Sequence, residues 1–525
     1  MGVRQVLIGG VWQPSEGTTT FRAMNPAVKQ PLPEEFPVSP WREIERALEA
    51  AAAAFEQVRG WPGSRFAEFL EEYARRIEAT GDEMVSVAHR ETGLPVEPRL
   101  KSVELPRTTN QLRQAAAAAR EGSWVMATID EATNIRSMFA PIGPVAVFGP
   151  NNFPCAFNSA AGGDFAAAVA AGNPVIAKGN SSHPETTRLF AVAALQAATE
   201  TGMPPGFVQL LYRASHADGA RLVSHPLLGA TGYTGSRDAG LILKQAADSA
   251  GKPIYLELSS INPVFVLPGA LAERREAIVE EFTTSCLMGA GQFCTNPGMV
   301  IVRQGPESER FLTAVAEKFR SAAAGTLLSE GVEQQLRAGV ASLRQAGAEV
   351  VTGDQPVDTS RCCYANTLLR VTGGQFLRNP QGLQREAFGN CSLFVVAEDD
   401  AQLIGIARAL EGNLTGCFYT STAGADDPLY DRLAPCVRQR VGRLLNDRMP
   451  TGVAVTPAMN HGGPFPATGH PGFTAVGLPA AMLRFAMLQC YDSVRPHRLP
   501  PALQNANPTG SLWRRIGGTW SQRDL

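Results

Sequence analysis

Among its nine cysteines the sequence has no CxxC pair, and its seven histidines form no HxxxH or HxxEH pattern. The thiols are scattered and odd in number, so neither a disulfide framework nor a metal site of ordinary spacing is expected. Charge of one sign is also missing: 47 Lys and Arg stand against 49 Asp and Glu, for a net charge of −2. That leaves no basic field to hold nucleic acid or an anionic membrane. Long apolar runs are lacking too; "FAAAVAAG" at 165–172 is too short and too alanine-rich to span a bilayer. The opening "MGVRQVLIGGVWQPSEG" has no charged head followed by an apolar core and cleavage site. Val6 stands where a myristoylation pattern wants Ser or Thr. A cytoplasmic protein is the expectation, with neither nucleic acid nor membrane as partner.

What is present reads as globular. At 525 residues, 44% hydrophobic and 18% charged, the chain is expected to form two or three domains. Residues 41–121 carry apolar side chains at three- and four-residue spacing with Gly or Pro punctuation, which predicts helices. From 139 the pattern changes to short β-rich runs, each followed by a Gly- or Pro-marked turn and a helix-like stretch. A second such series begins near residue 260, with "MVIVR" (299–303), "AEVVTG" (348–353), "CSLFVVAE" (391–398) and "TGCFYTS" (415–421). Alternation of this kind predicts an α/β fold with doubly wound parallel sheets. The tail from 496 is polar and Pro/Gly-rich, and reads as a surface extension or subunit contact.

Several segments have the residues for chemistry. In "GPNNFP" (149–154), Asn152 is either a turn residue satisfying its own backbone or an amide that donates to a developing oxyanion. Lys178 in "KGNSSHP" ends a strand, where it is either solvated or placed to bind a nucleotide. "YTGS" (233–236) opens a helix whose free N–H groups suit a pyrophosphate, although the spacing is not GxGxxG. Glu257 in "YLELSSINP" lies between Leu256 and Leu258, so it is either a solvent-facing strand residue or a costly buried acid that marks function. Cys294 sits in "MGAGQFCTNPG", after two glycines and before an Asn-Pro-Gly stretch, where it is a core thiol or a nucleophile.

Taken in order, "GPNNFP", "KGNSSHP", "YTGS", "LELSSINP", "GQFCTNPG" and "REAFGN" (385–390) resemble the aldehyde dehydrogenase superfamily from about residue 5 to about 490. "KGNSSHP" and "GQFCTNPG" resemble the branch of NADP-dependent α-ketoglutaric semialdehyde (2,5-dioxopentanoate) dehydrogenases and related bacterial fatty-aldehyde enzymes. The resemblance implies a Rossmann-type cofactor domain (1–122 and 141–258), an α/β catalytic domain (259–474), a β-ribbon oligomerisation arm (123–140 and 475–495) and a C-terminal extension (496–525). A homodimer or homotetramer is implied.

By the same resemblance Cys294 is the nucleophile, Asn152 holds the oxyanion, and Glu257 activates the water that hydrolyses a thioester. That base is generally absent from relatives that pass the acyl group to coenzyme A. Lys178 matches a ribose contact, Gly235, Ser236 and Gly240 the pyrophosphate turn, and Glu386 with Phe388 the nicotinamide clamp. Ser181 stands where many NAD-preferring members have a glutamate, which favours NADP while leaving NAD possible. His183 is a helix-start histidine that could also assist the phosphate. Asn151 replaces a common tryptophan, and "SSI" (259–261) replaces Gly-Gly-Lys. Phe157, Phe293, Thr295 and Phe465 match the aldehyde tunnel. Arg107 and Gln111, one helical turn apart, are either exposed helix residues or an anchor for a substrate carboxylate. The resulting expectation is NADP-dependent oxidation of the small-molecule aldehyde α-ketoglutaric semialdehyde. The alternatives are a medium- or long-chain fatty-aldehyde enzyme, a non-catalytic family member, and a cysteine hydrolase using a distant base such as His461.

Overall fold

The structure is a computed structural model that describes residues 2–525. Three sheets organise it. The first has seven strands in the order Ile254–Glu257, Ala230–Thr234, Val145–Phe148, Val175–Lys178, Val208–Leu211, Val6–Ile8 and Val11–Gln13. The first five are mutually parallel, and the N-terminal hairpin adds antiparallel to Val208–Leu211. Val145–Phe148 comes first in the chain among the parallel strands but lies in the middle, between Ala230–Thr234 and Val175–Lys178. The winding therefore reverses there, and the crevice at the carboxyl ends of those strands is where an open α/β sheet binds ligands.

The helical region predicted over 41–121 forms four helices, Trp41–Val58, Gly63–Ala79, Gly81–Thr92 and Leu105–Glu121. Their spacing explains the packing: Phe66, Phe69, Leu70, Tyr73 and Ile77 of the second helix are all buried. A π-helical segment, Val96–Glu104, precedes the last of them and carries Arg99 toward the "GPNNFP" loop, where its Nη2 donates to the Asn152 carbonyl at 2.8 Å.

The second sheet runs Glu349–Thr352, Thr367–Thr372, Cys391–Ala397, Met299–Arg303, Pro263–Val266, Asn413–Tyr419, Val441–Asn446, and only its first strand is antiparallel. Both faces of its central strands are covered, so Cys391–Ala397 and Asn413–Tyr419 are buried along their whole length. This is why neither shows the strict polar alternation of a strand with one solvated face.

The third sheet lies in the region expected to form the arm. Ala486–Asp492 pairs antiparallel with Ile135–Pro141 over its full length, while residues 475–485 lie outside it. The tail packs onto this sheet: its hairpin, Arg514–Ile516 and Thr519–Ser521, joins it through parallel pairing of Arg515 with Thr128. Leu499, Leu503 and Ile516 pack with Ala127 and Ile129 in a small core. Arg514 is fully buried and donates to the carbonyls of Gln504 and Arg523, both at 2.6 Å. A polar tail hides this because its few apolar residues are far apart in sequence. Among the described residues no helix is long and apolar enough to cross a membrane.

Candidate active site

Cys294 follows a strained turn. The helix Pro268–Leu287 ends, and Gly289, Ala290 and Gly291 then all adopt positive φ, at 55°, 56° and 69°. A Cβ on Gly291 would lie 2.2 Å from the Gly389 carbonyl oxygen, so only glycine lets the two loops meet. Asn262 fixes the far side, its Nδ2 donating to the carbonyls of Cys294 and Asn296, both at 2.9 Å. Held this way, the half-buried thiol faces a cleft that Glu257 also lines. Asn152 is buried, and its Nδ2 donates to the Gln292 carbonyl at 3.0 Å, two residues before Cys294. Its second amide hydrogen remains available to an oxyanion.

Glu257 ends its strand fully buried, at 1% exposure, which removes the solvent-facing reading. Its Oε1 lies 3.0 Å from His461 Nε2, and the same nitrogen lies 3.4 Å from Cys294 Sγ. His461 is itself buried, with its backbone N–H donating to Thr474 Oγ1. Sulfur and carboxylate thus share one ring nitrogen. In a hydrolase triad the acid would hold the opposite nitrogen, so this is not the relay a cysteine hydrolase needs. Nε2–H donates to Glu257 and to a thiolate; bare, it accepts from the S–H. Burial, reinforced by the Glu257 carboxylate, pushes the Cys294 thiol well up, so a nearby proton acceptor is needed to form the thiolate.

Beside the thiol, Phe153, Phe157, Phe293, Phe473 and Val476 pack into one buried apolar cluster. Phe153 meets Phe157 and Phe293 edge-on, with centroids 5.3 and 5.5 Å apart. Two arginines border it. Arg99 lies 4.2 Å over Phe153 and pairs with Glu104 at 2.9 Å. Arg107 lies 5.3 Å from the Phe157 centroid, and its Nε and Nη2 are buried without a hydrogen-bond partner. Arg107 is therefore no exposed helix residue. Burial pulls its pKa down while Cys294 and Glu104 oppose that. Gln111 is buried and braces the loop through Nε2 to the Ala156 carbonyl at 2.8 Å. Thr295 is fully buried.

Phe465 departs from the expected tunnel. It is 57% exposed and faces Arg237 at 5.4 Å, apart from the aromatic pocket. The reason is the backbone: Phe465 lies in a turn closed by the Ala467 N–H donating to the Pro464 carbonyl at 3.0 Å, and the Phe465 carbonyl accepts from Gly412 N–H. His461 and Phe473 hold the pocket positions instead.

A cleft of about 1150 Å³ runs from Lys178 and Ser181, past Gly235 and Ser236, to Glu257, Cys294, Glu386 and Phe388. It has the dimensions of a dinucleotide site. Ser236 precedes the helix Arg237–Ser249 without capping it through its side chain, which leaves N–H groups for a pyrophosphate. Gly240 does not line this cleft; it lets the helix approach Leu258, whose Cδ2 a Cβ there would meet at 2.5 Å. Lys178 is brought down to about 8 by burial and by the neighbouring Arg213, a second cation on the same wall. Arg213 follows a strand without any motif, so nothing local marked it. Burial, then the nearby Glu257 carboxylate, pushes Glu386 up to about 8 against hydrogen bonds from Ser259 and Ser260. His183 faces the interior, where it is fully buried and hydrogen-bonded to the Pro150 carbonyl at 2.9 Å. An NAD(P) dinucleotide fits these residues.

Residues 12–432 match the sequence profile of the Aldehyde dehydrogenase family. The chain is 42% identical over 504 residues to "Alpha-ketoglutaric semialdehyde dehydrogenase 2" of Azospirillum brasilense, covering 93% of this chain and 94% of that one. It is 35% identical over 515 residues to "Alpha-ketoglutaric semialdehyde dehydrogenase" of Acinetobacter baylyi, covering 96% of each. Among solved structures, betaine aldehyde dehydrogenase from Staphylococcus aureus in complex with NAD+ superposes with a TM-score of 0.79 at 18% identity, over 93% of this chain and 94% of that one.

Proposed function

Because the chain belongs to the aldehyde dehydrogenase family of NAD(P)-dependent enzymes, we propose that it oxidises α-ketoglutaric semialdehyde to 2-oxoglutarate, with NADP preferred. The observation that carries the substrate is Arg107. Its Nε and Nη2 are buried without a partner beside the nucleophile's pocket. A buried unpaired guanidinium is costly, and a substrate carboxylate accepting from both nitrogens removes the cost. The two relatives with that substrate in their names support the reading.

The chemistry follows from the residues. Cys294 adds through sulfur to the aldehyde carbon, and the carbonyl electrons move to oxygen as the C–S bond forms. Asn152 Nδ2 and the Cys294 N–H hold that oxyanion. Lys178, Ser181, Arg213, Gly235, Ser236, Glu386 and Phe388 would hold the dinucleotide, which when bound supplies the acceptor for the hydride that turns the thiohemiacetal into a thioester. Glu257 takes a proton from water, whose oxygen attacks the thioester; the C–S bond breaks and the acid leaves. His461 touches both sulfur and carboxylate, so it takes the thiol proton as sulfur adds and relays it through Glu257 to solvent, which frees that carboxylate to take a proton from water later. Lys178 and Arg213 supply two cations near Ser181, which suit a 2′-phosphate.

A fatty aldehyde is the second reading, favoured by the aromatic lining of Phe153, Phe157 and Phe293. It leaves Arg107 unpaired, which weighs against it. We further propose that the arm joins subunits into a homodimer or homotetramer, since its edge strand exposes Met487 and Leu488. The test is reduced-cofactor formation with α-ketoglutaric semialdehyde, succinic semialdehyde and hexanal, each with NADP and NAD, with Cys294→Ala as control. The highest kcat/KM for the keto acid with NADP is expected. Preference for hexanal would remove the carboxylate anchor, and no turnover of any aldehyde would remove the reading.

A further inference from the structure

We propose that Glu257, Cys294 and His461 also form a zinc(II) site, in which the metal takes the nucleophile from the aldehyde and holds the enzyme in a reversible inactive state. One ligand atom from each of the three side chains lies within 4.8 Å of the other two. Thiolate, imidazole and carboxylate are the donors zinc selects. No sequence spacing marks the group, because its members come from a strand end, a glycine loop and a distant loop 167 residues beyond the thiol.

The geometry is close to what the metal needs. Bonds of about 2.3 Å to sulfur and about 2.0–2.2 Å to nitrogen and oxygen put tetrahedral ligands roughly 3.4–3.6 Å apart. Here sulfur and nitrogen are 3.4 Å apart, and nitrogen and oxygen 3.0 Å. Small rotations of side chains complete the tripod. Glu257 is 1% exposed, and its Oε2 has no hydrogen-bond partner, so the carboxylate has capacity that the protein leaves unused. Cys294 and Glu257 both line the large cleft, which gives the ion a route in and leaves a fourth position for water. The charges acting on the thiol are mixed: Glu257 and Glu386 are negative, Arg107 and Arg443 positive. Binding exchanges a proton for the metal: the S–H bond breaks, a Zn–S bond forms, and the proton leaves to solvent. The inhibitory consequence rests on Cys294 being the nucleophile of the reaction proposed above; the binding does not.

The experiment uses the full chain freed of reductant and chelator. Zinc is titrated against a chromophoric competitor chelator, cobalt(II) serves as a spectroscopic probe, and iodoacetamide labelling of Cys294 is followed by peptide mass. A single tight zinc per chain is expected, with a thiolate-to-cobalt charge-transfer band and protection of Cys294 from alkylation. Affinity should fall at least about 100-fold in Cys294→Ala and in His461→Gln, the upper end of the loss that removing even an outer-shell partner causes. Activity should return on adding a chelator. Zinc affinity within a few-fold of the parent in Cys294→Ala would overturn the proposal even if His461→Gln does not fold. So would a cobalt adduct without the charge-transfer band. A chain that turns over aldehyde but binds no zinc sinks only this site, whereas one that binds zinc and still oxidises no aldehyde after a chelator has removed the metal sinks the enzymatic reading.

Discussion

Replacing Arg107 by leucine removes a guanidinium whose Nε and Nη2 have no partner among the described residues, so these lose no hydrogen bond at those atoms. The substrate loses two. A charge-assisted hydrogen bond contributes about 1.5–3 kcal/mol, and truncating one partner of a buried charged pair costs about 2–5 kcal/mol. A loss of about 3–4 kcal/mol corresponds to a fall of roughly 10²–10³ in kcat/KM for α-ketoglutaric semialdehyde. Hexanal has no carboxylate to lose. With it the parent buries an unpaired cation against Phe153 and Phe157, so the leucine variant should handle hexanal as well as the parent or up to about tenfold better. Arg107→Lys should rescue only part of the keto-acid activity, because an ammonium does not present the planar fork. The assay is steady-state kinetics on both substrates with the parent and both variants, beside thermal melting. A parallel fall with both substrates would mean that Arg107 only supports the fold. An unchanged keto-acid kcat/KM would refute the anchor outright.

Four further outcomes are expected. Glu257→Gln should still form reduced cofactor in a rapid first turnover and then stall with an acyl group on Cys294, visible by mass; steady turnover at the parent rate would assign water activation elsewhere. Ser181→Glu should shift preference toward NAD by repelling a 2′-phosphate, and Arg213→Ala should raise the KM for NADP far more than that for NAD; equal effects on both cofactors would place the phosphate elsewhere. Burial pulls His183 down to about 4, below its unfolded value of about 6.5, so the folded state disfavours its protonation. Its contribution is complete above the unfolded value and is lost as pH falls through this window, about 3 kcal/mol in all. His183→Gln should flatten the pH dependence of the melting temperature between about pH 6.5 and 4, and an unchanged slope would refute the assignment.

The chain by itself determined those features that local backbone chemistry dictates. Alternating runs and helical spacing set the α/β class, since periods of two and 3.6 are properties of neighbouring residues. The loop around Cys294 was legible because a run of positive φ requires glycine-rich sequence there. Asn152, Lys178 and Gly235 were legible as residues at strand ends, where an open sheet has its crevice. Glu257 stayed ambiguous, because its alternation with leucine fits either face; only the fold buries it. Tertiary structure alone decided the rest. His461 reaches Glu257 across 204 residues and Cys294 across 167. Arg107 arrives from a helix in the N-terminal layer. The turn after His461 sends Phe465 outward and leaves Phe473 in the pocket. The tail reads as polar yet closes the arm's sheet around a fully buried Arg514. Contacts between distant segments depend on how sheets stack and loops close, and no local period or motif records either.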